Sequence, residues 1–196
     1  MKLKIFIIIV FSIFNFSNAQ NCIDFNLSKV FDFDVMLISK DEKELGNVEI
    51  TIKIFDKWKR VKVQTIKIES EFILKSESFK ECSNNKKYLA NTYLESTEND
   101  FGDLIVADLN FDGKEDIAIK REEGGNGGPL YNFYIQSKNQ QFILDIYLTK
   151  KVCYFPNYID SKLKSLQINV RVDSATRKDM TFFYIDKSKT WSEKKL

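Results

Sequence analysis

Val48, Ile50, Ile52 and Ile54 alternate with Glu49, Thr51 and Lys53. Side chains two apart share one face of an extended chain but not of a helix, so this stretch reads as a half-buried strand. The pattern returns at Val61 and Val63 and again at Ile66 and Ile68. The break in phase at Gln64-Thr65 predicts a bulge. Further apolar runs predict strands over 33–39, 71–75, 103–108, 116–120, 131–136, 141–147, 166–172 and 180–186. The expected fold class is all-β, mainly antiparallel hairpins, propeller-like or sandwich-like, with at most one short helix. Residues 86–98 are the segment left for that helix or for irregular structure. "FYIQSKNQQF" (133–142) and "FYIDKSKTW" (183–191) each join an aromatic strand to a polar turn and a returning aromatic, and "IKIFDKWKRV" (52–61) is a looser copy. Either all hairpins look like this, or the chain is an array of similar hairpins.

The first residues differ in kind. Lys2 and Lys4 precede an apolar run from Ile5 to Phe14, and Ser17-Asn18-Ala19 places small residues where a signal peptidase cuts. A cleaved signal peptide over 1–19 is expected, with one β-rich domain over 20–196 in the periplasm or outside the cell. The apolar run is short for a membrane span, and Asn21 before Cys22 is unlike a lipobox, so no membrane attachment is expected after cleavage. Losing Lys2 and Lys4 from the chain's 30 basic residues leaves 28 against 28 acidic ones. A balanced surface argues against nucleic acid as a partner. Of Cys22, Cys82 and Cys153, at most one pair can close within the chain. The sequence leaves the pairing open; Cys82–Cys153 is favoured if the N-terminus is loose. There is no histidine, which removes imidazole general bases, His-dependent nucleophiles and imidazole metal ligands. No catalytic residues are expected.

"DLNFDGKED" (108–116) gathers Asp108, Asn110 and Asp112 at alternate positions, then Gly113 for a sharp turn. Asp116 stands at the ninth position, and the Lys114 carbonyl falls at the seventh. Ca²⁺ takes six to eight hard oxygen ligands at ~2.3–2.6 Å, and this spacing can wrap such oxygens around one point. The alternative is an ordinary acidic turn. Ile119 stands at position twelve, where an EF-hand needs glutamate, and the flanks are apolar strands rather than helices. A bound calcium here is expected to serve stability.

At this loop the chain resembles the FG-GAP and VCBS-type calcium-loop proteins, whose strand–loop–strand units build β-propellers. The longer run "DLNFDGKEDIAIKREEGGNGGPLYNFYIQSKNQQF" (108–142), with a looser match at "KVQTI" (62–66), resembles a family of small exported bacterial proteins. That family includes periplasmic immunity proteins that inhibit lysozyme-like effectors. The resemblance implies a peptidoglycan hydrolase as partner; residues 20–45 and 150–196 carry no motif of the family. Four of the seven glycines lie in "EEGGNGGPLY", which is either a hairpin connector or a loop that enters a partner's cleft. On the second view Arg121, Asn126, Tyr131 and Tyr134 are the candidate contacts, able to meet a carboxyl in a sugar-binding cleft. The competing expectation is a calcium-binding cell-surface or periplasmic structural or adhesion module.

Overall fold

The computed structural model describes residues 19–40, 43, 45–74 and 77–193. The expected signal peptide falls almost wholly outside these residues. Among them the chain is all-β and almost entirely antiparallel, in three sheets formed one after another. The first is a meander of β1 (Ala19–Asp24), β2 (Phe31–Ser39), β3 (Leu45–Asp56) and β4 (Val61–Leu74). The second contains β5 (Lys86–Lys87), β6 (Leu104–Ala107), β7 (Asp116–Gly125), β8 (Gly128–Gln136) and β9 (Phe142–Leu144), with β5 parallel to β6. The third is a meander of β10 (Tyr158–Asp160), β11 (Ser165–Arg171), β12 (Arg177–Ile185) and β13 (Thr190–Glu193). Helical structure among the described residues amounts to single turns at 82–84, 97–99 and 148–152.

The second sheet is the middle layer. Leu104, Val106, Ile117, Ile119 and Tyr134 pack with Phe31, Phe33, Val35, Ile50 and Ile52 of the first sheet. Ile105, Ala107, Ala118, Tyr131 and Phe133 point the other way, toward Leu166, Ile168, Val170 and Phe182 of the third. A sheet buried on both faces needs apolar side chains at consecutive positions, which is why β6 reads "LIVA". The first sheet keeps one face in water, so β2 and β3 alternate. Each buried Ile or Phe contributes roughly 1.5–3 kcal/mol to holding the layers together.

Each of the three similar sequence segments closes one sheet. The 52–61 copy spans the β3–β4 turn, 133–142 joins β8 to β9, and 183–191 joins β12 to β13. The bulge occurs one residue before the expected place. Ile54 pairs with Gln64 and Phe55 with Lys62, so Val63 is the extra residue. The strand expected over 141–147 stops at Leu144 because Asp145 starts a turn. Its side chain accepts the Leu148 N–H at 2.9 Å and its carbonyl accepts the Thr149 N–H at 3.0 Å.

The disulfide is Cys22–Cys82, with Cα atoms 5.4 Å apart, and Cys153 is free. This corrects the Cys82–Cys153 expectation. Cys22 does not sit in a loose end: it lies on β1, paired with Val35 of β2, and is buried.

Candidate functional site

β6 and β7 pair as far as Ala107 and Asp116, and the connection between them is the acidic loop. The Asp108 carboxylate accepts the N–H of Asp112 at 3.1 Å and that of Gly113 at 3.0 Å. Asn110 Oδ1 accepts the same Asp112 N–H at 3.2 Å, and Asp112 Oδ1 accepts the Lys114 N–H at 2.9 Å. Gly113 turns at φ +81° with nothing near an added Cβ, so its glycine is required by conformation, not space. Burial raises the Asp108 pKa and the Asp112 charge adds to that, while the loop N–H groups pull it down.

Asp116 is fully buried and holds the loop closed. One oxygen accepts the N–H groups of Leu109 (2.9 Å) and Asn110 (3.2 Å), and the other accepts that of Gln136 (2.8 Å). Burial pushes its pKa up to about 7 against these three donors. Among the described residues, no three acidic side chains converge as a metal-ligand group. Asp108, Asn110, Asp112 and the Lys114 carbonyl supply hard oxygens of the kind calcium takes. A cation already sits on one of them, the Lys114 ammonium, 2.9 Å from Asp112 Oδ2. These oxygens are the donors a hard cation would take on displacing Lys114 from Asp112, while both oxygens of Asp116 are spent on closing the loop.

The four expected contact residues do not form one surface. Tyr131 is completely buried; its hydroxyl donates to the Gly102 carbonyl at 3.0 Å and its ring packs against Phe133 and Phe155. Tyr134 is buried in the opposite layer. Both are therefore corrected from partner anchors to core residues. The reason is that β8 lies in the middle sheet, whose two faces are both covered by core. Arg121 is half-buried with Nε 3.7 Å from Glu122, and Asn126 is exposed near the Val172 carbonyl.

The glycine-rich segment is a tight hairpin in which Gly125 pairs with Gly128 across Asn126-Gly127. A Cβ on Gly128 would lie 2.3 Å from the Glu98 carbonyl, and one on Gly127 would meet the Tyr154 hydroxyl at 2.8 Å and its ring at 2.9 Å. Asn99 Nδ2 also donates to the Gly127 carbonyl at 3.0 Å. Of the two readings the structure shows the hairpin connector, with a packed tip where only Gly124, Gly125 and Asn126 are exposed. Tyr131→Phe, which removes a buried hydroxyl donor, is expected to cost about 1 kcal/mol in a urea unfolding titration. An unchanged midpoint would mean that the Gly102 contact contributes nothing.

The sequence did not flag the charge cluster beside this hairpin. Lys120 is 2% exposed, with Nζ 2.8 Å from Asp100, 2.9 Å from Asp103 and 3.8 Å from Glu123. Burial works to lower the Lys120 pKa, but the three carboxylates outweigh it and raise it overall. The available signal was phase, since Lys120 continues the inward face of Ala118 in "DIAIK".

No protein-family model matches the chain, and no curated protein matches it. Among solved structures it is similar to one described as "Structure of a Xanthomonas Type IV Secretion System related protein". The TM-score is 0.51 at 15% identity, over 93% of this chain and 95% of that one. The likeness is one of fold.

Proposed function

We propose that this chain is an exported, calcium-stabilised binding protein that blocks a peptidoglycan hydrolase. The Cys22–Cys82 bridge carries the exported part, because structural disulfides persist in oxidising compartments such as the periplasm. The absence of histidine removes imidazole-dependent hydrolysis, and no carboxylate pair stands apart from the acidic loop in a recognisable catalytic sequence motif, which favours binding. A fold neighbour described as secretion-system related is compatible with an exported role, and the resemblance of 108–142 to immunity proteins favours a hydrolase as partner. The physical mode is occlusion: a rigid three-layer scaffold holds loops that fill a sugar cleft and meet its carboxyl. The test is protection. Bacteria that lyse when a muramidase is sent to their periplasm survive when the full chain is co-expressed. Lysis unaffected by a well-expressed chain would defeat the inhibitor role and leave a calcium-binding surface module.

Calcium has its own test. Ca²⁺ at 100-fold above its Kd should stabilise the protein by about 2.7 kcal/mol relative to excess EDTA, and Asp112→Ala should abolish that difference. Equal melting temperatures of the wild-type protein in calcium and in EDTA would remove the cation from the account.

A further inference from the structure

The turn joining β3 to β4, "DKWKR" (56–60), exposes Trp58 at 79%. Exposing so large an apolar ring has a cost, and here the backbone holds it in place. Buried Asp56 accepts the N–H groups of Trp58 (3.0 Å) and Lys59 (2.8 Å) on one carboxylate oxygen, and the Arg60 N–H at 2.8 Å on its carbonyl. Lys57 clamps the turn to the preceding segment, donating at 2.6 Å to the carbonyls of both Phe25 and Ser28. Of the cations, Lys57 is paired with Asp32 and Lys59 with Asp56, while Arg60 pairs with no acid among the described residues. Beside the turn, Phe25 (60% exposed) and Ile23 (50%) border a cleft of about 680 Å³ that Phe55 and Arg60 also line.

We propose that Trp58 and Arg60 form the surface that enters the hydrolase cleft, resting on the hydrolase-inhibitor function proposed above. A site built for pyranose rings offers flat apolar subsites that an indole can fill, and it carries paired carboxylates that a free guanidinium can meet bidentately. Trp and Arg are the residues that most often dominate interface energy, and a pre-formed turn spares the entropy of ordering them. An anionic membrane suits the patch less well, because Asp32 and Asp34 line the same cleft.

The experiment titrates the full mature chain against a panel of purified peptidoglycan muramidases, following cell-wall lysis by turbidity. Trp58→Ala and Arg60→Glu are each expected to raise the inhibition constant more than tenfold, about 1.4 kcal/mol, without changing the melting temperature. Lys162→Ala, an exposed residue in the β10–β11 turn, should inhibit as wild type does. Full inhibition by Trp58→Ala and Arg60→Glu would overturn the assignment while leaving the inhibitor function intact, as would a loss confined to Lys162→Ala. Binding of anionic vesicles through Trp58, with inhibition unchanged in Trp58→Ala, would assign the turn to a membrane and overturn it too. A wild-type chain that inhibits no muramidase removes the function and this surface together.

Discussion

Lys120→Met is expected to lower stability by about 3–5 kcal/mol, read as a shift of the urea midpoint at neutral pH. Methionine fills much of the same volume, so the loss is electrostatic rather than a cavity. Asp103 is fully buried, and its second oxygen is fixed on the Phe79 N–H at 2.7 Å, so it has no route to water. Without the ammonium it becomes an uncompensated buried charge. Glu123 is held as well, accepting the Leu74 N–H at 3.1 Å and the Ser78 hydroxyl at 2.5 Å. The cluster therefore ties the end of β4 and the turn after it to the middle sheet. Burial already raises the Asp103 pKa, and removing Lys120 raises it further. A carboxyl whose folded pKa lies above its unfolded value favours the fold when protonated, so the variant's deficit should grow as pH rises through and above the ordinary carboxylate range. It should shrink in mild acid. A variant as stable as wild type at neutral pH would show that the cluster is open to solvent.

Reducing the disulfide should have an effect of similar size. Cys22 and Cys82 are 60 residues apart, and closing a loop of that length in the unfolded chain is worth about 4 kcal/mol in the chain-entropy account. Cys22→Ala should melt lower than wild type by the same amount that dithiothreitol lowers wild type, and should itself be insensitive to dithiothreitol. Cys153→Ala should keep the dithiothreitol sensitivity in full. If Cys153→Ala lost that sensitivity instead, the bridge would involve Cys153.

What the sequence made legible follows from which faces meet water. β2 and β3 could be read from their alternation because Asp34 and Lys53, an ion pair at 3.1 Å, lie on the open side of the first sheet. The strand–loop–strand unit around Asp108 was readable because its spacing is local. The middle sheet hid its nature: "DLIVA" and "IAI" showed burial but not burial on both sides, and that second side turned Tyr131 and Tyr134 into core. Lys120 found its partners at Asp100 and Asp103, upstream on the segment entering β6, a contact no local pattern encodes. Cys22 looked loose because what orders it is the register of β1 on β2. In 150–196 the strands expected at 166–172 and 180–186 are present as β11 and β12. The three-residue β10 inside "CYFPNYIDS" is too short to show a period.

The proposed function is inhibition by stoichiometric occlusion of a peptidoglycan hydrolase. It is read from the residual lytic activity of a cognate muramidase as the chain is added in steps in calcium-containing buffer. Activity falling linearly to zero near one equivalent, with the chain and the enzyme co-eluting as a single complex, is the predicted result. Undiminished lysis at a large excess of folded chain, across muramidases of every available type, would contradict it.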